Sequence, residues 1–389
     1  MMVVCWATKL RGFLRHISEK NRDVQFINSG SYYEVSDAKS KLKSKLIRSK
    51  LFDHIGLFQV IDIKGKDCDV YASFNRFLKT DKPYFIYLEN PTALYHYSLN
   101  RIKYLPGKCR FKKCLGDSNL KYIVCMSDAC RGTFESINMP LPRNVRMETI
   151  YPFVPENTMA TDEKLREKSN NKTMECLYCV QGKRFVTKGG LDVLEAFSRV
   201  YRAGNNVHLT IITKISEIET EILQQIKQCA AVDLYDFDFT YEELEQKYAE
   251  TNVLLHPSSD DSFGLTILEA MKAGCAVIST NLYAIPEMVE DNVNGYLIEP
   301  KYRIFSKDNI PNPQYWAYKR KVQGARKEND AFVNAIEERI LMLYNDREKL
   351  FQFSKNSLEI ANEKFGEEKI CGQWNAVWDA LKGIPENET

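Results

Sequence analysis

No apolar run in this 389-residue chain approaches the roughly 18 residues that a membrane-crossing helix needs, so no span is expected. Internal repeats and low-complexity tracts are also missing, which argues against solenoids and tail-like segments. The opening MMVVCWATKLRGF has only a short apolar run before Lys9 and Arg11 and lacks the cleavage pattern of a secretion signal. It reads as a first strand. Cys176 and Cys179 have no second pair at zinc spacing, and a strand would point them to opposite faces, so no metal site is expected. Eleven cysteines, an odd number, scattered through a chain that reads as cytoplasmic are expected to be reduced thiols. No nucleic-acid-binding motif accompanies the basic residues, so nucleic acid is not an expected partner.

What is present is an ordinary globular composition, 44% hydrophobic and 27% charged, long enough for two domains. Net charge is only +2, yet it is unevenly spread. Residues 1–155 hold 26 Lys and Arg against 14 Asp and Glu, and the remainder holds 28 against 38. A basic first half beside an acidic second half suggests that one domain faces an anionic surface.

Apolar runs alternate with helical stretches throughout. VVCW, VQFI, VIDI, CDVYASF, YFIYL and YIVCM read as strands of the first half. CLYCVQ, VHLTII, NVLLH, CAVIST and GYLIEP read as strands of the second, separated by helices such as GLDVLEAFSRVY and LTILEAMKAG. That alternation predicts parallel, doubly wound α/β domains. Prolines 140, 142, 152 and 155 and the polar EKLREKSNNK predict a linker, giving domains 1–155 and 156–366 with a final helix within 367–389. Residues 301–330 read as a polar excursion.

The chemistry concentrates in HPSSDDSFGLTILEAMKAGCA, residues 256–276, which reads as strand, loop and helix. Gly264 permits close approach of a phosphate, and the N–H groups around Phe263, Gly264, Leu265 and Thr266 open a helix, a pattern suited to an anion. Asp261 and Glu269, with seven residues between them, could accept hydroxyl hydrogen bonds, although a solvated turn aspartate and a glutamate paired with a structural lysine are plain alternatives. In QGKRFVTKGG, Lys183, Arg184 and Lys188 lie in another strand-to-helix loop, where fixed cations would stabilise a leaving diphosphate.

These segments, with AIPEMVEDNVNGYLIEP, resemble the C-terminal domain of retaining glycosyltransferases of the GT-B fold, family 4, whose E-x7-E motif stands here as D-x7-E. The resemblance is strong over roughly residues 174–300. It implies two Rossmann-like domains facing a central cleft, with the last helix returning to the first domain. It also implies a UDP- or GDP-linked sugar donor, a hexose-like transferred sugar, a glycan or lipid-linked acceptor, and no metal or other cofactor. By resemblance Glu269 would hold the donor ribose, Asp261 the transferred sugar, and Arg184 and Lys188 the pyrophosphate. Lys183, Ser258, the stretch from Phe263 to Thr266 and Glu287 would complete the donor site. Tyr283 stands where a glycine is usual. On the acceptor side, Ser127 matches a strand-Ser-helix segment, and PYFIYLENPTALYHY offers Glu89, Asn90 or His96 in place of an expected histidine.

The basic segments from Lys39 to Lys50 and from Arg101 to Lys113 interleave cations with Leu, Tyr and Phe, a composition that suits an anionic membrane surface at the inner face of a membrane. A solvated helix face is the plain alternative. Two other functions remain open at this stage: a nucleotide-sugar-binding protein without catalysis, and an epimerase or hydrolase of the same fold.

Overall fold

The computed structural model describes residues 1–20, 23–28, 49–316 and 330–383. The chain divides into two compact units. One comprises Met1–Phe153, Asp308–Pro311 and Glu367–Thr389; the other comprises Val154–Lys307 and Asn312–Gly366.

In the first unit the strands are β1 (Met2–Trp6), β2 (Val24–Asn28), β3 (Val60–Asp62), β4 (Val70–Phe74), β5 (Phe77–Lys79), β6 (Tyr84–Leu88), β7 (Leu120–Cys125) and β8 (Arg146–Thr149). Six form a parallel sheet in the order β2-β1-β4-β6-β7-β8, and β3 pairs with β5 apart from it. β4 and β6 are buried at every residue, so they read as unbroken apolar runs rather than alternating ones. β8 lies inside the stretch that proline content marked as linker. It was missed because it is an edge strand whose Arg146 and Glu148 are exposed, a device that discourages further pairing.

The helix Glu367–Lys382 belongs to this unit and supplies much of its aromatic core. Trp374 and Trp378 stack at 4.8 Å, and their rings meet Phe85, Tyr87 and Phe26 at 5.4–5.9 Å. Spacing of four residues puts both indoles on one helix face.

The second unit holds β9 (Met174–Cys179), β10 (Val207–Ile212), β11 (Val232–Tyr235), β12 (Val253–His256), β13 (Ala276–Thr280) and β14 (Gly295–Ile298). All pair in parallel in the order β11-β10-β9-β12-β13-β14, the doubly wound 3-2-1-4-5-6 arrangement. The helices Gly190–Arg202 and Asp330–Asn345 cover one face, their Phe197, Val200, Ile336 and Ile340 joining the core.

The polar EKLREKSNNK also proves to be structured. It lies in a helix, Asp162–Asn170, with Thr161 capping its start. Two residues dock it: Leu165, which packs over Gly274, and the buried Lys168, whose ammonium donates to the carbonyls of Thr251 and Ala273 at 2.8 and 3.0 Å. A helix anchored by a lysine on buried carbonyls has no apolar stripe to announce it.

All eleven cysteines are free thiols. Among the described residues no helix is long and apolar enough to cross a membrane. Residues 39–48 of the first basic segment, and 317–329 of the excursion, lie outside the described residues. In the second basic segment Arg101 is not a surface cation. Its guanidinium is fully buried and bonds Asp53 Oδ1 through Nε and Nη2 at 3.1 and 2.9 Å.

Trp378→Ala should lower the stability of the first unit by about 3–5 kcal/mol, the range for truncating a buried aromatic. Urea unfolding followed by circular dichroism measures this, and a loss below about 1 kcal/mol would contradict the packing role given to the helix.

Candidate functional site

In an open parallel sheet, ligands gather beyond the carboxyl ends of the strands, where the strand order reverses. In the second unit that point lies between β9 and β12. The loops that follow them, 180–189 and 257–264, contain most of the residues singled out in the sequence.

Gly189 lets these loops meet, and Gly190 lets the first loop close on its own Phe185. Gly189 has φ +86°, and a Cβ there would lie 2.7 Å from the Pro257 carbonyl oxygen. A Cβ on Gly190 would enter the Phe185 ring at 2.5 Å. The close approach brings Lys188 onto Asp261. Its ammonium bonds Asp261 Oδ2, and the two side chains are only 10% and 14% exposed. The same oxygen lies 2.6 Å from His256 Nε2. Burial pushes the Asp261 carboxyl upward, but Lys188 and His256 outweigh it and hold the group well below the usual carboxylate range. Its other oxygen, Oδ1, has no hydrogen-bond partner among the described residues.

Arg184 sits beside this pair and reaches Asp260 Oδ2 at 3.3 Å. Both cations expected to meet a diphosphate are thus already matched with aspartates of the facing loop. Lys183 turns elsewhere: it is exposed and pairs with Glu217 at 3.2 Å.

The start of the next helix, Leu265–Lys272, is shaped for an anion. Gly264 caps it with φ +96°, and the N–H groups of Leu265 and Thr266 find no acceptor among the described residues. Ser258 is fully buried and shapes the loop, accepting from the Asp260 N–H at 3.0 Å. The Phe263 side chain is buried and meets the Phe365 ring edge at 6.2 Å, so it braces the helix end rather than facing solvent.

Glu269 lies in the second turn of that helix. Its partner is a tyrosine and not a lysine: Tyr248 donates to Oε2 at 2.9 Å, while Oε1 accepts nothing from the described residues. Burial raises this carboxyl to about 7, against the opposing effect of the Tyr248 bond. A pocket lined by Val154, Asn157, Tyr241, Tyr248 and Lys272 opens beside it. Glu287 closes a short 3-10 turn, where its carbonyl accepts from Lys364 Nζ at 2.6 Å. Just before it, Tyr283 occupies the left-handed region at φ +53°, which explains a glycine preference at this place. Stacking of its ring on Phe305 at 4.1 Å offsets the strain.

The remaining sequence candidates lie in the first unit, beyond the carboxyl ends of β6 and β7. Glu89 accepts from Tyr97 Oη at 2.9 Å and pairs with Arg11 at 3.7 Å. Asn90 and Ser127 act as buried caps, accepting from the Thr92 and Cys130 N–H groups. His96 adopts φ +60°, and its Nε2 accepts from the Gln59 N–H at 3.0 Å.

His256, which the sequence presents as the last residue of a core strand, joins this cluster without having been a sequence candidate. The usable signal was a histidine at the carboxyl end of a buried strand five residues before a candidate aspartate.

Residues 161–306 match the family model for glycosyl transferases group 1. An N-acetyl-alpha-D-glucosaminyl L-malate synthase of Bacillus anthracis is 23% identical over a stretch covering 61% of this chain and 55% of that protein. The GtfA subunit of a UDP-N-acetylglucosamine–peptide N-acetylglucosaminyltransferase of Streptococcus pneumoniae is 34% identical over 22% of this chain and 16% of its own length. The chain therefore spans little more than half the length of the first of these relatives. Among solved structures, Alr3699/HepE of Anabaena in complex with UDP aligns with a TM-score of 0.61 at 15% identity, covering 98% of this chain and all of that one. A glycosyltransferase of Rickettsia africae aligns with a TM-score of 0.63 at 11% identity over 98% and 99%. These likenesses show the fold, GT-B with its two Rossmann-like domains.

The Glu269 carboxyl ties stability to pH. The folded chain keeps its proton to about pH 7, whereas an unfolded glutamate releases it near 4.5. Folded protein binds more protons between those values, so stability falls as pH rises through the window. Urea unfolding of wild type and Glu269→Gln at about pH 5 and about pH 8 should differ in that fall by about 1–2 kcal/mol after solvent screening. An equal fall in both proteins would remove the carboxyl as its source.

Proposed function

We propose that this chain transfers a hexose-like sugar from a UDP- or GDP-linked donor to a glycan or lipid-linked glycan, with retention at the anomeric carbon, as in glycosyltransferase family 4. The observation that carries this reading is the arrangement at the switch point of the second unit. The Lys188–Asp261 pair, with the N–H groups of Leu265 and Thr266 and Glu269 Oε1, which have no partner among the described residues, lies along two facing loops and the helix that follows. The match over residues 161–306 and the UDP-bound neighbour of like fold support it.

In this reading the diphosphate lies against the start of the helix Leu265–Lys272, where free N–H groups and the helix dipole favour negative charge. Glu269 Oε1 takes a ribose hydroxyl and Asp261 Oδ1 a hydroxyl of the sugar. The bond from the anomeric carbon to the diphosphate oxygen breaks as the acceptor oxygen bonds to the same face. The acceptor proton passes to the departing phosphate oxygen, so no side-chain base is required. Lys188 and Arg184 stabilise the growing charge, for which each must share its aspartate with the diphosphate. No metal or other cofactor takes part in this scheme.

A thermal-shift screen of UDP, GDP, ADP and their sugars should give one selective stabilising series, since a ligand of the folded state raises its stability. With that donor, Lys188→Ala should slow transfer by at least about tenfold. Unchanged turnover would reject the assignment. Binding without turnover would favour a binding protein, and sugar release without acceptor a hydrolase.

The acceptor, if lipid-linked, would be met at an anionic membrane. On the helix Leu105–Leu115 and just before it, Lys103, Lys108, Lys112 and Lys113 are exposed and make no ion pair among the described residues. Leu105 is 72% exposed between them, and Leu51 and Ile55 are exposed on the neighbouring turn, where Gly56 abuts Gly107. Phosphatidylserine vesicles should sediment wild type, and the double variant Leu105→Ser, Lys108→Glu should bind several-fold less. Equal sedimentation would exclude this face.

A further inference from the structure

We propose that His256 is a positioning residue for sugar transfer, holding Asp261 in the orientation that receives the donor sugar. The proposal rests on the donor-site reading above. The geometry behind it is local. His256 ends β12 and is 3% exposed. Its backbone is pinned: the His256 carbonyl accepts from the Ser279 hydroxyl at 2.8 Å and from the Ser258 N–H at 2.7 Å. The turn beyond it is held by Thr280, whose hydroxyl donates to the Ser258 carbonyl at 2.5 Å, and by the Tyr302 N–H, which donates to Ser259 Oγ at 3.2 Å. The imidazole is therefore presented from a rigid strand end and not from a loop.

Among the described residues the imidazole's one polar contact is Asp261. Nε2 lies 2.6 Å from Oδ2, and Nδ1 is buried with no partner among those residues. Burying a half-satisfied imidazole costs free energy that a leucine or phenylalanine would not. What the histidine supplies in return is a donor on the carboxylate. Both His256 and Lys188 use Oδ2, which turns Oδ1 away from them as the oxygen open to a hydroxyl.

The second donor matters when the site fills. A diphosphate competes for the Lys188 ammonium. A carboxylate this enclosed, left without a donor, would be strongly disfavoured. His256 keeps one donor on Oδ2 through that exchange, so Asp261 stays charged and aimed. The aspartate has only two side-chain torsions, and this contact on Oδ2 restricts both.

The test compares His256→Phe, which fills the space without a donor, with His256→Gln, whose amide can still donate to Oδ2. Calorimetry gives the affinity of each for the nucleoside diphosphate and for its sugar; kinetics give turnover. The diphosphate alone should bind all three proteins within about twofold. The Phe variant should lose the extra affinity conferred by the sugar and about tenfold in turnover, and the Gln variant should recover most of both. In an Asp261→Asn background His256→Ala, which removes the donor without crowding the site, should have little further effect, whereas in the wild type it should cost as much as the Phe change, a coupling that remains readable if the Phe variant does not fold. Two results would overturn the proposal: full retention of sugar affinity and turnover by the Phe variant, or equal loss of diphosphate and sugar binding in both variants. If the wild type gains no affinity from any attached sugar, the donor-site reading itself has failed and this proposal with it.

Discussion

One carboxylate oxygen, Asp261 Oδ2, organises the second unit's site. It draws Lys188 from the loop after β9 and His256 from the end of β12, so two strand ends and two loops converge on a single acceptor. The convergence depends on enclosure. In open solvent a surface ion pair contributes little, whereas here low exposure makes the loss of either donor costly. The glycine pair at 189–190, the buried Ser258 and the bracing Phe263 all hold the geometry in which those three side chains meet.

The two carboxylates of the D-x7-E motif have opposite electrostatic settings. Asp261 is held charged by two donors, while Glu269 has, among the described residues, only the Tyr248 hydroxyl and is pushed by burial toward its neutral form near pH 7. An ionised Asp261 suits a firm hydrogen-bond acceptor. A readily protonated Glu269 gains most from a ligand that brings hydroxyls, because each donor favours its charged form. The local positive charge is smaller than the sequence suggests, since Arg184 and Lys188 each face an aspartate. In the proposed donor site, backbone N–H groups at the start of the helix Leu265–Lys272 would therefore carry more of the anion recognition than the cationic loop alone.

The fold was largely legible because buried parallel strands are apolar on both faces and alternate with helices of clear period. Two elements that escaped notice were polar for structural reasons. β8 carries charge because it is an edge, and the helix Asp162–Asn170 carries Lys168 because its anchor is a pair of buried carbonyls. At the site, Asp261, Lys188, Arg184 and Glu269 could be found from loop and spacing. Their mutual pairing could not, because it depends on how closely two loops separated by some seventy residues approach. His256 was invisible for a related reason: a strand-end histidine looks like core until the residue it faces is known. Lys183 and Phe263 had the right neighbours in sequence but point to Glu217 and Phe365.

The contact between Gly189 and the Pro257 carbonyl also bears on how such a site can diversify. The two loops share one steric boundary and two ion pairs, so a side chain at position 189 or the loss of a charge in one loop is felt by the other. A chimera that imports only the 257–264 loop from a relative would inherit a foreign partner for Lys188 and an unmatched surface against Gly189. In the proposed donor site, donor preference would thus be a property of a loop pair, and variation would be inherited, or engineered, as linked blocks spanning both.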